Sequence, residues 1–285
     1  MSNASPLPRS QTARVIIVGA SGLIGGAVAR EAVACGLQVI PVGRGERVED
    51  VVTAGDVVLT CAMEPAYKTG PYDPTIDMER RNAEAALGAG ARVVMLSTRK
   101  VYRADAQWGA TEAAATLSDG YGYGPNKSRT ETWLLNAAAN TNRALIVRLS
   151  NVFGFEFIPG APPRPSFFGQ MLYRLKMQGE ILFDMSPDTR RDFIAVETVA
   201  TALVDAIFKD VSGVYNLGAG AATACNDIAC ALINGYGDGR LFGADAVRDE
   251  FFLDCRKWNS EIGPLDGRSG LLSDVTTLGE RLRHA

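Results

Sequence analysis

Gly19-Ala20-Ser21-Gly22-Leu23-Ile24-Gly25 follows the apolar run Arg14-Val15-Ile16-Ile17-Val18 and opens a helical pattern that continues to Cys35. A strand, a GxxGxxG turn and a helix, in that order, make an anion cradle. Gly19 permits the tight turn, Gly22 lets the backbone approach a pyrophosphate, and Gly25 lets the helix pack close to the sheet. The free N–H groups and the positive end of the helix then face the phosphates. Ser21, Leu23 and Ile24 lie in the same turn, so the cofactor-binding set read here is Gly19, Ser21, Gly22, Leu23, Ile24 and Gly25. A glycine-rich turn with no ligand is the bland alternative. The strand before it and the helix after it weigh against that.

Outward from this turn the chain alternates between strand and helix. Gly36 is placed to end the first helix, since glycine readily takes a left-handed cap. Gln38–Val42, Asp56–Cys61, Arg92–Leu96 and Ala144–Leu149 read as buried strands. Helical patterns fall at Asp77–Leu87 and Lys127–Ala139. Such alternation predicts an α/β fold: a doubly wound parallel sheet with right-handed crossovers and helices on both faces. After Gly154 the pattern changes. Pro159, Pro162, Pro163 and Pro165 mark a loop, a helix is expected over Ser166–Gln178, and Ile194–Phe208 and Gly213–Leu217 read as a return to the core. The expected organisation is a disordered tail over 1–12, a dinucleotide-binding domain over 13–154 and 191–219, and a smaller discontinuous substrate lobe over 155–190 and 220–285. A cleft is expected between the two.

Composition removes several classes of function. A chain of 285 residues that is 47% hydrophobic builds a full core, and a net charge of −3 provides no basic field for nucleic acid or membrane. No apolar run approaches the roughly 18 residues that span a bilayer. The Ser/Pro-rich opening segment has no apolar stretch of the kind a signal peptide needs. The five cysteines form no CxxC pair and the one histidine is His284, so neither a metal site nor a Ser-His-Asp triad is expected. Free cysteines of this kind fit a reducing, cytoplasmic setting.

Two further stretches carry chemistry. Tyr123 and Lys127 are four apart and share one face of a helix. An ammonium there is expected to stabilise phenolate and lower the phenol pKa, so that Tyr123 exchanges a proton with a carbonyl oxygen as hydride reaches or leaves the carbon. Thr98 ends a strand on the side where α/β sheets bind ligands, within reach of the same oxygen. The predicted catalytic set is therefore Thr98, Tyr123 and Lys127, and Tyr123 and Lys127 also count toward cofactor binding, Lys127 through the nicotinamide ribose. Tyr121 is the competing phenol, but Pro125 stands where its cation would be. At the end of the second strand, Pro41-Val42-Gly43-Arg44 has no Asp or Glu to hold ribose hydroxyls. Arg44 can pair with a 2′-phosphate, so NADP is expected, with NAD possible.

These residues resemble the extended short-chain dehydrogenase/reductase family, also called the NAD-dependent epimerase/dehydratase family, over nearly the whole chain after Thr12. Ser97-Thr98-Arg99-Lys100-Val101-Tyr102 looks like its segment with the catalytic Ser/Thr. Arg148-Leu149-Ser150-Asn151-Val152-Phe153-Gly154, Arg191-Asp192-Phe193-Ile194-Ala195-Val196-Glu197 and Gly213-Val214-Tyr215-Asn216-Leu217-Gly218 are similar to three further segments. The resemblance implies a Rossmann-type fold, catalytic Thr98, Tyr123 and Lys127, a cofactor contact at Ala62, and substrate contacts at Asn151 and Arg191 on a nucleotide-sugar diphosphate. It also implies a homodimer formed through the helices around Asp77–Leu87 and Lys127–Ala139.

The departures narrow the expected activity. Family dehydratases carry Asp-Glu after the catalytic Thr, where this chain has Arg99 and Lys100. Those cations cannot exchange protons at neutral pH in that role. Members that epimerise beside the keto group use Cys and His, which are also missing from these places. Gly45–Gly55 is short, so the family's third strand is expected to be reduced or lost. Near Asp77 the family often has an Asn that helps to position the Lys. The expected function is reduction of the keto group of a nucleotide-activated 4-keto-6-deoxy sugar. The alternative is a nucleotide-sugar 4-epimerase with tightly bound NAD. Reduction of a non-sugar carbonyl and a non-catalytic dinucleotide sensor are the other readings. The sensor is disfavoured because Tyr123 and Lys127 are both kept.

Overall fold

The computed structural model describes residues 14–265 and 270–285. The tail expected over residues 1–12 lies outside the described residues. In chain order the first half runs β1 (Arg14–Val18), α1 (Leu23–Ala34), β2 (Gln38–Val42), β3 (Val57–Thr60), α2 (Pro65–Thr69), α3 (Met78–Gly88), β4 (Arg92–Thr98), β5 (Trp108–Ala110), α4 (Tyr123–Ala137) and β6 (Ala144–Leu149). The second half runs β7 (Asn151–Phe153), α5 (Phe167–Gln178), β8 (Glu180–Leu182), β9 (Arg190–Arg191), β10 (Phe193–Ala195), α6 (Val196–Phe208), β11 (Gly213–Leu217), β12 (Thr223–Ala224), α7 (Cys225–Tyr236), β13 (Arg240–Phe242), β14 (Phe252–Leu253), α8 (Arg256–Glu261) and α9 (Leu271–Arg283).

Six strands form one sheet in the order β2-β1-β3-β4-β6-β11. Every pairing in it is parallel. Alternate residues of the strands serve opposite faces, as the two-residue period requires. Val15, Ile17, Leu59, Val94 and Val147 pack with α1 and α6 residues such as Val28 and Leu203. Ile16, Val58, Met95 and Ile146 pack on the other face with Ala83, Ala86 and Leu134 of α3 and α4. This is the doubly wound sheet expected from the alternation. Chain 45–55 contributes one 3-10 turn at Val48–Asp50 and no strand, which leaves β2 at the sheet edge.

Local chemistry sets the element ends. The Asp77 carboxylate accepts from Arg80 N–H and caps α3, and Ser166 does the same for α5 through Gly169 N–H. Gly36 takes φ +84° just past the end of α1. A separate apolar cluster joins Phe153, Phe168, Leu175 and Phe193 to Ile228, Leu232 and Val275. There α7 and α9 meet at Gly235 and Gly279, where a Cβ on either would collide with the other helix's backbone. The small strand pairs β7–β10, β9–β12 and β8–β13 sit beside this cluster, beyond the strand ends of the main sheet. No helix among the described residues is long and apolar enough to cross a membrane.

Candidate active site

The glycine turn has the shape its sequence predicts. Gly19 holds φ +83° and donates its N–H to Val42 O at the end of β2. A Cβ on Gly25 would collide with Gly19 O, so only glycine lets α1 sit this close to the turn. Ala62 packs against Gly19, with 3.0 Å between its Cβ and an ideal Cβ on that glycine. Gly22 is the N-cap of α1. No side chain caps the helix and no acidic residue lies in its first turn. The helix start therefore keeps its N–H groups and dipole for an anion. Ser21, Gly22 and Leu23 line a cavity of about 250 Å³ whose charged lining residues are Arg30, Arg164 and Arg281 together with Glu156 and Glu197. The glycine turn and the helix start fit the pyrophosphate of a dinucleotide.

Thr98 and Tyr123 line one cavity of about 260 Å³, together with Ile24, Ser97, Lys100 and Asn151. Thr98 ends β4 and Tyr123 starts α4. They meet because Gly124 lies on the Thr98–Val101 turn, where a Cβ would collide with Lys100 O. Ser97 also lines this cavity; its hydroxyl oxygen is buried and has no hydrogen-bond partner among the described residues.

Lys127 is buried on α4, one turn after Tyr123. Its Nζ donates to both carboxylate oxygens of Glu79, at 2.5 and 2.6 Å, and to Leu96 O at 2.7 Å. Sequence reasoning missed Glu79. It lies in the first turn of α3, two residues after the Asp77 cap, close to where the family's Asn was expected. Burial disfavours the Lys127 charge, but Glu79 and Tyr123 outweigh it and hold its pKa above the ordinary value. Burial pushes Glu79 up to about 7, against the pull of Lys127. Lys127 acts on Tyr123 in the expected direction, but the expected net lowering of the phenol pKa needs correction. Burial raises its pKa above that of a free phenol; Lys127 and the Thr98 hydroxyl oppose this, and Glu79 adds to it.

Asn151 starts β7, donates its backbone N–H to Asp192 O and lines the same cavity as Tyr123. Arg191 on β9 sits over the ring of Phe167, 5.5 Å from its centroid, and Phe167 is itself a wall of that cavity. Its guanidinium also donates to Asp249 O and Arg248 O, so the loop carrying Asp249 shares it. Arg99 lines the same cavity, with its guanidinium taken up by a neighbouring loop. It is buried, makes a bidentate pair with Asp249 at 2.7 and 2.5 Å, and stacks on Phe251. Lys100 stays at the cavity. Burial lowers its pKa, Arg99 and Arg191 lower it further, and Asp249 opposes.

Arg44 is exposed past the end of β2. Next to it, Glu46 folds back so that its carboxylate accepts from Gly43 N–H at 2.6 Å. A carboxylate therefore stands near the strand end after all. Its offset of four residues from Val42 hid it from a search of the strand terminus.

The family model described as "NAD dependent epimerase/dehydratase family" matches residues 15–218. The chain belongs to this family and is an enzyme of the extended short-chain dehydrogenase/reductase type with a nicotinamide dinucleotide cofactor. Its fold is similar to that of MoeE5 in complex with UDP-glucose and NAD (23% identity, TM-score 0.76, covering 95% of this chain and 99% of that one). It is also similar to the UDP-glucose 4-epimerase of Thermus thermophilus in complex with NAD (18% identity, TM-score 0.73, 95% and 99%). A dTDP-4-dehydrorhamnose reductase from Clostridium acetobutylicum matches with 18% identity, a TM-score of 0.72 and the same coverage.

Proposed function

We propose that this enzyme reduces the keto group of a nucleotide-activated 4-keto-6-deoxy sugar. The observation that carries the reading is the lining of the cavity around Thr98 and Tyr123. Among its described residues are one phenol, hydroxyls, an amide, apolar groups and the cations Arg99 and Lys100, but no carboxylate, thiol or imidazole. Proton transfer to a single carbonyl oxygen needs only the phenol. Dehydration or epimerisation beside the keto group needs a second acid–base pair. The reductase and the NAD-bound epimerase among the similar folds both act on nucleotide sugars by name, which supports that substrate class.

A bound nicotinamide supplies the hydride. Tyr123 donates the proton to the carbonyl oxygen, Thr98 orients that oxygen, and Lys127 keeps a positive charge behind the phenol. The same phenol would serve a 4-epimerase, acting as base in the oxidation and as acid in the return step, so the assay below and not the phenol separates the two readings. Asn151 and Arg191 are assigned to the diphosphate, with Arg191 exchanging its loop carbonyls for the ligand. Exposed Arg44 supports NADPH, whereas Glu46 favours the ribose hydroxyls of NADH. The domain division at 154, 191 and 219, and a homodimer through α3 and α4, belong to the same proposal.

The test is incubation with NADPH or NADH and a nucleoside-diphosphate 4-keto-6-deoxy sugar, following reduced nicotinamide by absorbance and the sugar by mass spectrometry. Stoichiometric consumption with a gain of two hydrogens supports the reductase. Interconversion of 4-epimers with no net cofactor consumption, by protein that retains NAD through dialysis, selects the epimerase instead.

A further inference from the structure

We propose that Glu79 is a positioning residue of the catalytic set: its carboxylate anchors Lys127 Nζ beside Leu96 O and so governs how much of the ammonium's charge reaches Tyr123. The proposal rests on the reading of Tyr123 as the proton donor. A lysine has three N–H donors, and here the two Glu79 oxygens and Leu96 O account for all three. None is left for a ribose hydroxyl while the pair is intact, so a cofactor contact at Lys127 must displace one Glu79 oxygen.

The charge balance follows from what surrounds the pair. Lys127 Nζ lies 5.9 Å from the Tyr123 ring centroid, against 2.5 Å from Glu79. Both partners are buried, so little solvent screens either charge. The groups that face Glu79 are Lys127, Tyr123 and Glu131 on α4, Asp77 at its own helix start, Tyr67 on α2 and Cys61 after β3. Glu131 is answered by a buried pair with Arg148. Lys127 is the cation that Glu79 meets. An uncompensated ammonium would pull the neighbouring phenol toward phenolate; the carboxylate cancels much of that pull and keeps Tyr123 a proton donor.

An ultraviolet difference titration of cofactor-free enzyme, with a Tyr123→Phe protein as background, reads the Tyr123 phenolate and needs no sugar. Glu79→Gln keeps the size and one acceptor oxygen but removes the charge. The Tyr123 transition should move at least about one pH unit lower, the scale on which a nearby charge acts. Glu79→Asp, which keeps the charge, should leave the transition near its wild-type position. An unmoved or raised transition in folded E79Q overturns the proposal. Should E79Q fail to fold, the wild-type protein carries the test. With carbon-13-labelled tyrosine, the Cζ resonance of Tyr123 should step once in the acid-to-neutral range, as Glu79, raised by burial, ionises; a resonance flat over the whole range in which the protein stays folded overturns the proposal. Failure of the reductase reading looks different: the titrations behave as expected and no keto sugar nucleotide is consumed.

Discussion

Gly124 sits directly on the carbonyl of Lys100, and this contact brings the start of α4 against the end of β4. Thr98 and Tyr123 face one cavity because no Cβ separates the two segments. Gly124→Ala has to push them apart. Overpacking of this kind costs about 1–3 kcal/mol, which denaturant unfolding will read. Turnover should fall further than the stability loss explains, because orientation at the reacting atoms tolerates little displacement. Unchanged turnover in a folded variant would show that the contact does not set the Thr98–Tyr123 geometry.

Tyr123→Phe removes the phenol proposed as the proton donor and leaves the glycine turn intact. Its kcat should drop by about 10²–10⁴-fold, the usual contribution of a positioned acid. Fluorescence titration should show that the dinucleotide still binds, weakened by no more than the loss of one hydroxyl contact, about 0.5–1.5 kcal/mol. A variant that retains wild-type turnover would remove Tyr123 from the chemistry.

Arg44 and Glu46 give opposite signals on the 2′-phosphate. With Arg44→Ser, NADPH should bind roughly tenfold more weakly and NADH unchanged, the size of one lost charge-assisted contact. Glu46→Gln should strengthen NADPH binding. If NADH instead weakens in E46Q while NADPH is indifferent to Arg44, the cofactor is NAD and Glu46 holds its ribose.

The Asp56 carboxylate fastens the start of β1 to the turn before β3. It accepts from Arg14 Nε and Nη2 at 2.9 and 2.6 Å and from Thr53 N–H at 2.7 Å. Burial pulls its pKa up, but these hydrogen bonds outweigh burial and hold it below the ordinary 3.8. An acid with a lowered folded-state pKa adds stability above its unfolded value and loses it as pH falls through the folded one. Asp56→Asn should therefore lower the urea midpoint at neutral pH, with the gap from wild type closing below about 3.8. A constant gap at all pH values would mean that the carboxylate's charge plays no part.

The main elements were legible because their causes are local. β1, β2, β6 and β11 occupy the spans read from their apolar runs, and α1 and α5 end within one residue of expectation. Tyr123 and Lys127 share a face because helix geometry puts residues four apart together, although α4 starts at Tyr123 and not at Lys127. The small pairs β7–β10, β9–β12 and β8–β13 were invisible as pairings. Each has two or three residues per strand, too few for periodicity to register.

By itself, the sequence determined the strand–turn–helix phosphate cradle, the doubly wound parallel sheet and the phenol–ammonium spacing. All of these depend on backbone preferences and periods within a short window. Only the tertiary structure decided what Lys127 and Arg99 do. Glu79 reaches Lys127 across 48 residues, and Asp249 takes Arg99 across 150. The first pair exists only once the order β3-β4-β6 is set and α3 and α4 share a face of that sheet, and the second only once the loop carrying Asp249 comes back to the end of β4. A buried charge must find a partner wherever the fold puts one, and one-dimensional spacing carries no record of that place.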